Sequence, residues 1–121
     1  MPRILLRSGT EAPSAGLGAL DGWLAGVEKS VADRVRIAAG ELLGNAVAHG
    51  PGSPFWLEWI PDAEGGELRI VGGGAVAAEA FQQAKLPATE STRGRGLYIV
   101  RAVADTLTVG PDGTVRLGFR P

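Results

Sequence analysis

Two stretches of strand-like sequence separated by a short turn constrain the fold of this 121-residue chain more than any other feature. FWLEWI (55–60) and ELRIV (67–71) have the composition of β-strands, and the PDAEGG segment between them is rich in turn-forming residues. A connection this short is too small for a crossover, so the two strands should pair antiparallel. Within the first strand, the side chains of Trp59 and Trp56 should point to opposite faces of the sheet.

The rest of the chain supplies further strands at both ends and helices between them. RILLR (3–7) is a short first strand, and TLTV and TVRLGFR flank the turn GPDG (110–113). The spacing of apolar residues predicts helices over 17–29, 31–49, 75–84 and 97–105. This order predicts an α+β fold, a two-layer sandwich with helices on one face of a mainly antiparallel mixed sheet.

Composition limits the class of protein. Hydrophobic residues make up 45% of the chain and charged residues 21%, which suits one globular domain spanning 1–121. A net charge of −1 gives no general attraction to nucleic acid or to a membrane surface, and no segment approaches the roughly 20 apolar residues of a membrane span. The absence of cysteine fits a reducing cytoplasm. We therefore expect a cytoplasmic protein without direct nucleic-acid or membrane contact.

The helix predicted at 31–49 carries an unusual polar stripe. It ends in ELLGNAVAHG (41–50), in which Glu41, Asn45 and His49 recur every four residues and so share one side of the helix. The ordinary explanation is a solvent-facing stripe. The functional alternative makes Glu41 a base and Asn45 an oxygen ligand for a hard cation such as Mg²⁺.

Two glycine clusters are candidates for ligand contact. In STRGRGLYIV (91–100), Gly94 and Gly96 precede a predicted helix, whose free N–H groups would attract phosphate beside two arginines. In IVGGGAV (70–76), a predicted strand is followed by three glycines. This pattern suits either a plain turn or a segment whose backbone packs closely against a flat ligand. A flexible loop with two solvated arginines is the ordinary alternative for the first cluster.

The order and spacing of these motifs resemble those of the Bergerat-fold ATPases, which include histidine-kinase ATP domains, gyrase B and MutL. The stripe, with Ala46 and Gly50, reads as an N-box of the type E-x-x-x-N-A-x-x-H-G, and RGRGLYIV follows at the matching place. Within that superfamily the chain is most similar to the bacterial anti-sigma factors that are also serine-protein kinases. The resemblance extends from about residue 14 to residue 119.

This resemblance implies a function and a set of partners. The protein would sequester a sigma factor and, using ATP and Mg²⁺, phosphorylate a serine of an anti-anti-sigma factor. The helix predicted at 17–29, with Trp23, would help to form the partner surface. Members of the family commonly dimerise, so a homodimer is a further expectation.

The resemblance also assigns roles to individual residues. Glu41 would be the catalytic base and Asn45 the magnesium ligand, and residues 85–95 would form a short lid over the nucleotide. The expected nucleotide-binding residues are Asn45, His49, Gly72, Gly74, Thr92, Arg93, Gly94, Arg95, Gly96 and Leu97.

Gly72 departs from the family pattern. Members usually have an aspartate there, in a D-x-G motif, and its carboxylate accepts a hydrogen bond from the adenine amino group; this chain has Gly72-Gly73-Gly74. Losing such a bond costs about 1.5–3 kcal/mol, or roughly 10- to 150-fold in affinity. The alternative function is therefore a binding module of the same fold, with a degenerate nucleotide pocket, that acts by sequestration alone.

Overall fold

The computed structural model describes residues 2–7, 12–49, 54–72, 95–111 and 113–121. The described helices are α1 (Ala12–Trp23), α2 (Lys29–His49) and α3 (Arg95–Val103). The described strands are β1 (Arg3–Arg7), β2 (Pro54–Pro61), β3 (Gly66–Gly72), β4 (Thr106–Val109) and β5 (Val115–Phe119). They form one five-stranded sheet in the order β1-β2-β3-β5-β4, and each of the four pairings is antiparallel.

The helices pack on one face of this sheet, which confirms the predicted α+β class and its two layers. One continuous core joins Leu20 of α1, Val35 of α2 and Val100 of α3 to the inward side chains of the strands. The largest fully buried side chains are Trp59, Phe55, Phe119, Leu20, Leu24, Leu43, Leu57, Leu68, Leu117, Val31, Val35 and Val100.

The second strand, β2, shows the predicted alternation. Phe55 and Trp59 are 2% and 0% exposed on the inner face. Trp56 is half-buried on the outer face, where the guanidinium carbon of Arg3 lies 4.2 Å from the centroid of its ring. This distance is that of a cation–π contact, so the outer indole is partly covered by its neighbour on β1.

Helix α1 lies earlier in the chain than the predicted range of 17–29. Pro13 is tolerated in its first turn, where a backbone N–H has no helical partner. After Trp23 the chain turns: the N–H of Val27 donates to the carbonyl of Leu24 at 2.9 Å, and Gly26 has a φ of +90°. Leu24 and Val27 still point into the core, so their spacing in the sequence matched that expected for a longer helix.

Helix α2 ends at His49, as predicted, and begins two residues before the predicted start, at Lys29. Its first turn is capped by the carboxylate of Glu28, which accepts hydrogen bonds from the backbone N–H of Ser30 at 3.2 Å and from the Ser30 hydroxyl at 2.5 Å. These bonds hold the pKa of Glu28 below its usual value, the hydroxyl contributing most. The carboxylate therefore takes the place of a serine or aspartate N-cap.

Helix α3 begins two residues before its predicted start and ends two residues before its predicted end. The predicted helix at 75–84 lies outside the described residues. Among the helices that the structure describes, none has both the length and the apolar character needed to cross a membrane.

Gly66 allows β3 to pack against the buried indole of Trp59. A Cβ added at Gly66 would lie 2.5 Å from Trp59 Cζ2 and 2.8 Å from the carbonyl oxygen of Ile60. Because Trp59 has no room to move, Gly66→Ala should lower the free energy of unfolding by about 1–3 kcal/mol, measured by chemical denaturation. Gly18→Ala, at an exposed helical position with open space around it, is the control and should be neutral or stabilising. Equal stability of the two variants would contradict this packing.

Candidate functional site

The last residue of β3 and the last turn of α2 lie at the same end of the fold. Gly72 pairs with Phe55, the second residue of β2. Only four residues separate His49 from Pro54, so these two residues lie within about 18 Å of each other. The end of the polar stripe and Gly72 are therefore at the same end of the fold.

The direction of α3 follows from the contacts at its C-terminus. Arg34 Nη1 donates a hydrogen bond to the carbonyl oxygen of Val103 at 3.0 Å, and α3 packs against α2. A parallel course would carry the start of α3 beyond Lys29, the first residue of α2, and leave it unpacked. An antiparallel course is favoured: Arg95 lies eight residues before Val103 and Leu42 eight residues after Arg34, a rise of about 12 Å along each helix.

This arrangement favours an approach of the α3 N-terminus to the polar stripe. The start of α3 would be level with Leu42, which lies next to Glu41 and one turn before Asn45. The first N–H groups of a helix have no helical partners, and they carry the positive end of its dipole. An anion bound between the two helices could thus meet backbone donors from α3 and side chains from α2.

The stripe itself lies on an unbroken helix, which confirms the predicted helix over residues 41–49 on which its four-residue spacing depends. Glu41 is half-buried. Asn45 and His49 occupy helical backbone positions one and two turns further on, and their side chains lie outside the described part of the chain. Their roles in binding therefore stay predictions.

Two glycines leave room beside the stripe. A Cβ added at Gly40 or Gly44 would have no described heavy atom within 4 Å. Each glycine in a helix interior costs about 1 kcal/mol relative to alanine, so a pair of them flanking Glu41 calls for a reason. Close approach of a ligand or partner to the α2 backbone is one such reason.

Ile37 belongs to the same side of α2 and was missed by the sequence analysis. It lies one turn before Glu41, and its side chain is 46% exposed. The four-residue spacing that identified the stripe would also have found Ile37, had apolar residues been included. An exposed aliphatic group next to Glu41 offers a candidate apolar contact.

The predicted phosphate contacts lie only partly within the described residues. Arg95, Gly96 and Leu97 are the first three residues of α3, and only their backbone is described. The members of the set outside the described residues are Gly74, Thr92, Arg93 and Gly94. The proposed lid lies there too, apart from Arg95.

Gly72 adopts a backbone conformation that favours glycine. Its φ is +90°, and an added Cβ would lie 3.4 Å from the carbonyl oxygen of Pro54, an ordinary contact distance. An L-residue in the left-handed region costs roughly 1–2 kcal/mol. At the position where the family usually has an aspartate, the backbone conformation of this chain therefore disfavours any residue with a Cβ.

Comparison of Gly72→Asp with Gly72→Ala tests whether a carboxylate is what this site lacks. Both variants should lose about 1–2 kcal/mol of stability, because both place a Cβ at a positive φ. Only aspartate can accept a hydrogen bond from adenine, so Gly72→Asp should bind ADP about tenfold or more tightly than Gly72→Ala, measured by calorimetry. Equal affinities would show that Gly72 does not occupy the position of the family's aspartate.

Comparison with known families agrees with this geometry. A family model described as the histidine kinase-like ATPase domain matches residues 14–117. The match runs from the first turn of α1 into β5 and includes the polar stripe and both glycine clusters. A search of curated proteins found no match to the chain.

The donor set fits one half of a Mg·ATP ligand better than the other. An amide at Asn45 and a helix N-terminus beginning with Arg95 are suitable groups for a hard cation and its phosphates, and Glu41 is the candidate base beside them. On the adenine side, Gly72 supplies no carboxylate. The residues present thus favour recognition of the phosphates over recognition of the base.

Proposed function

Since the chain belongs to the histidine kinase-like ATPase family, we propose that it is an anti-sigma factor that uses Mg²⁺ and ATP to phosphorylate a serine of an anti-anti-sigma partner. The observation that carries the proposal is the unbroken helix α2, along which Glu41, Asn45 and His49 recur every four residues. Family membership supports nucleotide binding. The regulatory role rests on the N-box and on the start of α3.

The proposed reaction transfers the γ-phosphoryl group of ATP to a serine oxygen. As the bond from that oxygen to phosphorus forms, the bond from the γ-phosphorus to the β,γ-bridging oxygen breaks, and ADP is released. Glu41 would orient the serine hydroxyl and accept its proton. Mg²⁺ held by Asn45 and by phosphate oxygens would offset the negative charge of the triphosphate, as would the N-terminus of α3.

The partner surface is proposed to include the outward side of α1. Trp23, at the end of this helix, is half-buried and packs against the core, so only part of its indole is free for a partner. Gly18 and Gly22 lie on the exposed side of α1, where added Cβ atoms would meet no described atom within 4 Å. A partner helix could approach that side closely.

A second function is favoured by the backbone at Gly72. If the left-handed glycine reflects a pocket that no longer selects adenine, the chain would bind its sigma factor without using nucleotide. The two functions share the fold and the sigma partner. They differ in phosphoryl transfer.

Two assays on the purified full chain separate these functions. The first measures binding to a panel of purified sigma factors, and the second measures transfer of ³²P from γ-labelled ATP to purified anti-anti-sigma proteins. The kinase function predicts both activities, whereas sequestration alone predicts sigma binding without transfer. Absence of both activities across the panel would contradict the anti-sigma proposal.

A further inference from the structure

Arg34 joins three parts of the fold that are far apart in sequence. Its Nη1 donates to the carbonyl oxygen of Val103 at 3.0 Å and to Asp105 Oδ2 at 3.2 Å, and its Nη2 donates to the carbonyl oxygen of Arg120. Asp105 Oδ2 also accepts a hydrogen bond from the backbone N–H of Arg120 at 2.6 Å. We call these four residues the clasp.

The clasp holds the C-terminus of α3 in place. Val103 is the last residue of α3, so its carbonyl has no partner within the helix, and the guanidinium supplies one at the negative end of the helix dipole. The backbone N–H of Asp105 donates to the carbonyl of Gly118 at 2.8 Å, which ties the same point to β5. The end of α3 is thus fixed to α2 and to the sheet.

Charge reinforces these contacts. The backbone N–H of Arg120, and then the Arg34 side chain, hold the pKa of Asp105 below its usual value. A lowered pKa means that folding favours the ionised carboxylate, so its contribution is present above the unfolded-state pKa and is lost as pH falls through the lowered one. The clasp is therefore intact at neutral pH.

The other end of α3 is the end that would face the phosphates. A straight helix held at Val103 cannot slide along α2 without breaking the bonds of the clasp. Such a slide would move the N–H groups at Arg95 and Gly96 by the same distance relative to the polar stripe. A phosphate site shared between two helices depends on that distance.

We propose that Arg34 is a positioning residue of the nucleotide site: by holding the C-terminus of α3, it sets the distance between the amides at the α3 N-terminus and Asn45. This inference rests on the proposed nucleotide function. It assigns Arg34 no contact with the nucleotide, which it would affect only through α3.

Arg36 provides a matched control on the same helix. Its Nε donates to Asp21 Oδ1 at 2.6 Å and its Nη1 to Asp33 Oδ1 at 3.3 Å, so it ties α2 to α1 rather than to α3. Arg34→Met and Arg36→Met each remove one guanidinium and keep an aliphatic side chain. If Arg34 contributed only to the stability of the fold, Arg34→Met and Arg36→Met should have the same affinity for the nucleotide.

The affinity of each full-length variant for Mg·ADP is measured by calorimetry at a temperature where all of them are folded. Arg34→Met should bind about five- to tenfold more weakly than the unsubstituted chain, and Arg36→Met should stay within about twofold of it. Arg34→Lys, which retains the charge, should recover part of the loss. Equal affinities for Arg34→Met and Arg36→Met would overturn the inference.

Hydrogen exchange without nucleotide provides a second readout. The amides of α3 should exchange faster in Arg34→Met than in Arg36→Met, because only the first variant releases the end of that helix. If α3 is released but the affinity is unchanged, the clasp is structural only and the inference is wrong. If the unsubstituted chain binds no Mg·ADP, the proposed function fails and the inference fails with it, and this result is distinct from equal binding by the variants.

Discussion

Replacing Asn45 with alanine is expected to abolish the rise in melting temperature that Mg²⁺ with ADP or ATP produces in the unsubstituted chain. A ligand present at 100 times its Kd stabilises the folded state by about 2.7 kcal/mol, which corresponds to roughly 8–15 °C for a domain of this size. The amide oxygen of Asn45 is the proposed protein ligand for Mg²⁺. Its removal leaves the cation held by phosphate alone, and we expect a residual shift near zero.

Asp33→Ala is the control for this substitution. Asp33 lies on α2 about three turns before Asn45, and its ion pairs with Lys29 and Arg36 have N–O distances of 3.1 and 3.3 Å. Partly exposed pairs of this kind contribute little to stability. Because Asp33 is not assigned to the nucleotide site, the nucleotide-induced rise in melting temperature should persist in Asp33→Ala. An undiminished shift in Asn45→Ala would remove that residue from the site.

Glu41→Gln is expected to retain nucleotide binding and to lose phosphoryl transfer. General-base catalysis is typically worth 10²- to 10⁴-fold, so the initial rate of ³²P transfer to the serine partner should fall by about that factor. The amide has nearly the shape of the carboxylate but cannot accept the serine proton. The affinity for Mg·ADP should change little, since Glu41 is not assigned to the phosphates.

Glu67→Gln supplies the comparison for the transfer assay. Glu67 lies on β3 and pairs across the sheet with Ile60, on the face opposite to the helices. Its neutralisation changes the net charge of the protein equally and should leave the transfer rate unaltered. Transfer by Glu41→Gln at the unsubstituted rate would show that Glu41 is not the base.

Local pattern was sufficient to predict most of the fold. The pairing of β2 with β3, the inward side of β2 and the end of α2 at His49 each follow from residues close together in sequence. The position of β5 between β3 and β4 did not follow, because that pairing joins segments about 50 residues apart. The limits of α1 were wrong because Leu24 and Val27 bury their side chains from a turn as they would from a helix.

In the candidate site, too, features set by local spacing could be predicted from the sequence, and features set by distant contacts or backbone conformation could not. The polar stripe was visible because helical spacing alone places Glu41 and Asn45 on one side of α2. The clasp was not visible, since Arg34 is 71 residues from Asp105 and 86 from Arg120 and such contacts leave no periodic pattern. The positive φ of Gly72 was equally hidden, because a run of three glycines is compatible with many conformations.

The central claim is that α2 and the N-terminus of α3 together bind a nucleoside triphosphate. Calorimetric titration of ATP into the purified chain, with and without Mg²⁺, tests it most directly. We predict saturable binding of one nucleotide per chain that requires Mg²⁺ and is absent in Asn45→Ala. The absence of a binding isotherm at millimolar Mg·ATP, from a chain that circular dichroism shows to be folded, would contradict the claim.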